Sequence, residues 1–109
     1  MSVVDKIKAR LGSQPSSYYI EEWDETIYAR PLTCGEMTEI QRRHPDFPSK
    51  MTGDSMVDLI IRKAMDKQGN KLFSLEDKPI LLKETTAIIS TVVAKILSSQ
   101  VTVEEAEKN

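Results

Sequence analysis

The chain has 109 residues, with 15 basic and 17 acidic side chains and a formal charge of −2, which suits one domain able to bury on the order of two thirds of its unfolded surface. That slightly acidic balance argues against a dedicated nucleic-acid binder, which needs a basic face to neutralise phosphates. A single cysteine, Cys34, and a single histidine, His44, make neither an intramolecular disulfide nor a structural zinc set.

Ser2 and Asp5 form a capping pair, and Val3, Val4, Ile7 and Leu11 recur at helical spacing, so a first helix is expected over Val3–Leu11. Gly12 is placed to close it in a left-handed conformation. The charges of Asp5 and Lys6 fall where a secretory signal would be apolar. Ser13 to Ser17 reads as a polar linker, so residues 1–16 are expected to form a mobile helix and tether.

Tyr18–Glu22 and Thr26–Arg30 are rich in β-formers and flank a short acidic loop, which predicts a hairpin with Ile27 and Ala29 on one face and Tyr28 and Arg30 on the other. Two strands alone are marginal, so one face must pack on helices or the edge must pair elsewhere. Pro31 ends the second strand. Thr33 and Glu36 then supply a capping box, with Leu32 and Met37 as a hydrophobic staple, for a helix over Cys34–Arg43.

Pro45 and Pro48 predict an irregular loop from His44 to Gly53, after which Asp54 or Ser55 caps a third helix. Its stripe of Met56, Val57, Ile60, Ile61 and Ala64 faces the core and leaves Asp58, Arg62 and Lys63 outward. Asp66–Asn70 is a turn, Leu72 and Phe73 return to the core, and Ser74 with Asp77 starts another short helix that tolerates Pro79 in its first turn.

A last long helix, about Thr85 to Ser99, carries Ile88, Ile89, Val92, Val93, Ile96 and Leu97. Its other face, Thr86, Ser90, Thr91, Ala94 and Ser98, is small and uncharged, which suggests cover by another segment or subunit. The most apolar window, Ile80 to Leu97, is interrupted by Lys83, Glu84 and Lys95, so no membrane span and a soluble, intracellular protein are expected. Residues 100–109 are expected to form a flexible tail with one amphipathic turn at Val101, Val103 and Ala106.

The predicted class is α+β: a mainly helical single domain over residues 1–109 with one small antiparallel β-hairpin. No catalytic, cofactor-binding or metal-binding residue is assigned. His44 and Cys34 lack an orienting third group, and His44 reads as a surface histidine. The carboxylates Glu21, Glu22, Asp24 and Glu25 share an exposed loop, where equal solvation cannot separate two pKa values. Asp66–Asn70 lacks the carboxylate ladder of a calcium loop. The candidate partner-binding residues are Trp23, an aromatic of the kind enriched at interfaces, Tyr28 on the hairpin edge, Ser90 and Ala94 on the small-residue face, and Val101 and Val103 near the C-terminus.

The strand ending Ile27-Tyr28-Ala29-Arg30-Pro31-Leu32-Thr33-Cys34-Gly35-Glu36, followed by the Met56 to Ala64 helix, by Asp66-Lys67-Gln68-Gly69-Asn70-Lys71-Leu72-Phe73-Ser74-Leu75-Glu76-Asp77 and by an apolar helix, resembles tail assembly chaperones of long-tailed, lambda-like bacteriophages. The resemblance runs from about Ile20 to Leu97 and rests on turn and capping patterns. It implies a noncatalytic protein of the host bacterial cytoplasm, absent from the mature virion, which self-associates, binds the tape-measure protein and helps recruit tail-tube subunits. It also implies that a longer form can arise by programmed frameshifting, for which Glu107-Lys108-Asn109 is compatible with a slippery A-rich codon run. The alternative is a structural tail connector or completion protein retained in the virion.

Overall fold

The computed structural model describes residues 2–12 and 14–108, with side chains through residue 98. Its order is α1 (Val3–Leu11), β1 (Ser16–Ile20), a 3-10 turn (Glu21–Trp23), β2 (Glu25–Ala29), α2 (Cys34–Arg43), α3 (Gly53–Lys63), a second 3-10 turn (Leu75–Asp77), α4 (Lys78–Leu81) and α5 (Thr86–Lys108). This is the expected mainly helical α+β arrangement with a single two-stranded antiparallel sheet.

The central element is α3, whose Met56, Val57, Leu59, Ile60 and Ile61 are all buried, and it packs chiefly along α5 through Ile89, Val92, Val93 and Ile96. The hairpin closes the core from one side. Its register pairs Tyr18 with Ile27 and Ser16 with Ala29, and because opposed residues share a face, Tyr18, Ile20, Ile27 and Ala29 turn inward together. Both strands start earlier than expected. The loop is the 3-10 turn Glu21–Trp23 closed by Asp24 at φ 48°, a left-handed position that aspartate tolerates because its short side chain bonds locally.

Local caps are formed largely as the spacing predicts. Ser2 Oγ accepts the Asp5 amide at 3.1 Å, the Thr33–Glu36 box is complete in both directions, and Ser74 pairs with Asp77 ahead of α4. Gly12 departs from expectation, closing α1 at φ −85° rather than in the left-handed region. For α3 the cap is Thr52, with Ser55 as its reciprocal partner three residues on. Ser55 therefore lies inside the helix, and its hydroxyl also donates to the Thr52 carbonyl.

A turn the sequence marks only as a connector also extends the sheet. Met65 exchanges backbone hydrogen bonds with Tyr28 at 2.8 and 2.9 Å, covering the outer edge of β2. The return is tightened by Asp66 Oδ1, which accepts the amides of Gln68 and Asn70, and by Gly69 at φ +87°. Downstream, α5 runs past the Ser99 end expected from apolar spacing, since neither glycine nor proline occurs after Pro79 to stop it. No helix among the described residues is long and apolar enough to cross a membrane.

Candidate functional site

Three features stand out once the fold is placed: a groove, an apolar arm and two ionic clasps. The groove, about 180 Å³, runs between the hairpin tip and α5; Tyr19, Glu21 and Glu22 form one wall, and Ile88, Thr91 and Lys95 the other. The hydroxyl of Tyr19 donates to Asp24 Oδ1 at 2.6 Å, an interaction that raises its pKa and orients the ring along the tip. Lys95 lies 5.8 Å from the centre of the Tyr18 ring, close enough for cation–π attraction.

The arm is α1. None of its residues is buried, and its stripe of Val3, Val4, Ile7 and Leu11 is 70%, 59%, 51% and 62% exposed.

The first clasp joins α2 to α3. Lys63, 7% exposed, donates to both carboxylate oxygens of Glu36 at 2.9 and 3.1 Å and to the Pro31 carbonyl at 3.4 Å. Burial pushes the Glu36 carboxyl up, but the bonds from Lys63 and from Thr33 outweigh it and hold it below its ordinary value. The second clasp joins the end of α2, α3 and α4. His44 Nε2 lies 2.7 Å from Asp58 Oδ2, and Lys78 Nζ lies 2.7 Å from Asp54 and 2.9 Å from Asp58. Burial raises the Asp58 pKa, yet hydrogen bonds from His44 and Lys78 and the nearby Lys78 and Arg43 charges bring it below the usual carboxylate range. Hydrogen bonds to Asp54 and then Asp58 raise Lys78 in turn.

These clasps correct three sequence expectations. Asp58 and Lys63 are not outward, and His44 is not a surface histidine, because α2 and α4 cover the flanks of α3 that a single helical wheel leaves in solvent. One ligand atom each from His44, Asp54 and Asp58 falls within a 4.8 Å cluster. The Lys78 ammonium already bridges both carboxylates, so a divalent cation would have to displace it.

The candidate partner residues are spread over three elements, the first 3-10 turn, β2 and α5. Trp23 is half-buried; its ring meets Phe73 edge-on at 6.0 Å, and Nε1 donates to Glu84 Oε2 at 2.8 Å, tying the hairpin tip to the start of α5. The same bond, followed by the Thr85 amide, lowers the Glu84 pKa. Tyr28 is half-buried, with its backbone spent on Met65. Ser90 and Ala94 are exposed on α5, and the Ser90 hydroxyl lies 3.7 Å from the Met56 sulfur. The side chains of Val101 and Val103 lie outside the described residues.

None of these lines the groove. Of the residues that do, Thr91 was read as part of the small-residue face, and Tyr19 and Lys95 were not among the partner candidates. The signal available was their adjacency to the acidic tip and to the Ser90–Ala94 face, about a quarter turn around α5 at 100° per residue.

No protein-family model and no curated protein matches the sequence. Among solved structures, the chain is similar to the tail assembly chaperone of bacteriophage HK97, with a TM-score of 0.60 and 14% identity over 86% of this chain and 96% of that one. The chain therefore has the fold of that chaperone over most of both molecules, as the resemblance implies.

Proposed function

We propose that the protein is a noncatalytic tail assembly chaperone of a long-tailed bacteriophage or prophage, acting in the host cytoplasm to keep the tape-measure protein soluble while tail-tube subunits are recruited to it. The observation that carries this reading is the shared fold with the HK97 tail assembly chaperone over nearly the whole of both chains. The surface chemistry is compatible with it: the buried and half-buried charges Lys63, Asp58 and Lys78 are tied into clasps between helices, while the small uncharged face of α5 and the apolar stripe of α1 stand exposed. A long helical client is covered by many small subunits through modest contacts whose effect multiplies when they are linked along one chain.

For the client-facing surface we propose the Ser90–Ala94 face of α5, with Trp23, Tyr28, Val101 and Val103 as further contact candidates. The test is co-expression with a tape-measure protein from the phage or prophage that encodes this chain. Recovery of soluble tape-measure protein bound to this chain supports the reading, and equal solubility without it overturns it. Mass spectrometry of purified virions separates the structural alternative: stoichiometric retention in the particle favours a connector.

A further inference from the structure

We propose that the cleft between α2, α3 and the return segment 71–75 is a second docking surface, which takes an acidic amphipathic helix of a partner protein. The cleft is made of two joined hollows. One, about 220 Å³, lies between α2 and α3 over Ile40 and Ile61. The other, about 530 Å³, opens beside Phe73 and Ser74, and the two share Ile61, Lys71 and Leu75 as a common wall. Leu75 stands 70% exposed on that wall, with the half-buried Leu72 and Phe73 next to it in sequence. A lone exposed leucine is ordinary, but one that rises between two hollows with apolar floors forms part of a contiguous apolar surface. Such a ridge fits between the side-chain rows of a helix, whose own apolar side chains then enter the hollows on either side.

Charge identifies that helix as acidic. The first hollow is rimmed by Arg43, Arg62 and Lys71 against Glu39 and Asp58, and both carboxylates are already engaged within the chain. Arg43 reaches Asp58 at 3.7 Å and Arg62 reaches Glu39 at 3.1 Å, each through one terminal nitrogen. The remaining donors of the two guanidinium groups are placed to receive a carboxylate from outside. Lys71 has no ion-pair partner among the described residues. A nucleic acid would meet the same cations, yet its phosphates gain nothing from an aliphatic floor and would be repelled by Glu39 and Asp58. A helix with leucines on one face and glutamates beside them satisfies floor and rim together.

This cleft is separate from the Ser90–Ala94 face. The Met56 sulfur lies against the Ser90 hydroxyl, and at 100° per residue Asp58, Ile61 and Arg62 fall about 140–240° around α3 from Met56. The two surfaces therefore occupy opposite flanks of the central helix, and one subunit can hold a partner on each. Docking in the cleft does not depend on the tail-assembly reading.

The experiment is fluorescence anisotropy of a labelled synthetic helix, with leucines at every third or fourth position and glutamates beside them, titrated with the full chain. Wild type should bind it, and amide chemical shifts should move chiefly at 61–62 and 71–75. Arg62→Glu with Lys71→Glu should weaken binding about tenfold or more. The same double variant should prefer a peptide carrying lysines in place of the glutamates, a reversal that mere damage would not give. Leu75→Asp should weaken binding similarly with unchanged circular dichroism, since the side chain it removes lies mostly in water. Lys50→Glu, an equal change of charge outside the cleft, should leave binding unchanged. Failure of the acidic peptide to bind, equal binding of its lysine counterpart, of a version with serines for leucines or of single-stranded oligothymidine, or shifts confined to the Ser90–Ala94 face would overturn the proposal.

Discussion

The Lys63 ammonium and the Glu36 carboxylate meet 2.9 Å apart, joining the last turn of α3 to the first turn of α2. Glu36 thus does two jobs: it completes the α2 capping box by accepting the Thr33 amide and neutralises a cation that is almost fully enclosed. Breaking one half of a buried pair strands the other, which is why such losses exceed the net worth of the pair.

Glu36→Gln keeps Oε1 as an acceptor for both the Thr33 amide and Lys63, but leaves the Lys63 ammonium with neutral acceptors only and no counter-charge. A loss of about 2–3 kcal/mol is expected, at the low side of the buried-pair range because Glu36 is partly exposed. Lys63→Met, which removes the charge and keeps the volume, should cost under ~1 kcal/mol, and combining the two should recover most of the Glu36→Gln loss. Urea denaturation of the three variants decides the matter; a Lys63→Met variant as damaged as Glu36→Gln would assign the energy to packing.

Acid should open both clasps. The Glu36 and Asp58 carboxyls sit below their ordinary values of 4.5 and 3.8, so the stability they contribute is complete at neutral pH and is lost as pH falls through the folded values. Wild type should therefore lose stability steeply below about 4.5. Asp58→Asn should be weaker at neutral pH and show a shallower acid limb. Parallel limbs for the two proteins would remove Asp58 from the acid response.

How much of this was legible depends on how local each interaction is. The Thr33–Glu36 box, the Ser2 cap and the Ile27/Ala29 face are set by residues within a few positions of one another, and all three are formed as read. Lys63 and Asp58 were read outward because periodicity on α3 alone separates apolar from charged positions. Their partners, Glu36 on α2 and Lys78 on α4, are brought over by tertiary packing. Phe47 shows the same limit: it lies in the loop before α3, outside any periodic stripe, yet is buried with its carbonyl accepting Gln41 Nε2 at 2.8 Å. The groove was half visible, since the acidic tip and the uncharged helix face were both noted, but their juxtaposition is a property of the hairpin's docking.

Gly69→Ala should cost about 1 kcal/mol. The added methyl meets open space, so the whole effect comes from φ +87°, a backbone conformation that a residue with a Cβ occupies only under strain. The loss should appear in thermal or urea unfolding without any change in the pull-down of partners.

The single tryptophan reports on hairpin docking. Glu84→Ala removes the acceptor of the Trp23 indole N–H; because the carboxylate is open to solvent, water can replace part of the bond, and only a small loss of stability is expected. Trp23 emission should shift to the red as the hairpin tip loosens from α5. Unchanged emission would mean that the Phe73 contact alone holds the ring.

Ala94→Glu separates fold from assembly. Ala94 is exposed on α5, glutamate is a good helix former, and surface substitutions of this kind usually stay within about 0.5 kcal/mol. The monomer's helical circular dichroism and unfolding midpoint should therefore match wild type. If the Ser90–Ala94 face covers a client helix, the new carboxylate must be desolvated on binding, and capture of the tape-measure protein should fall by about tenfold or more. An unchanged capture, with the monomer intact, would move the client surface elsewhere on the domain.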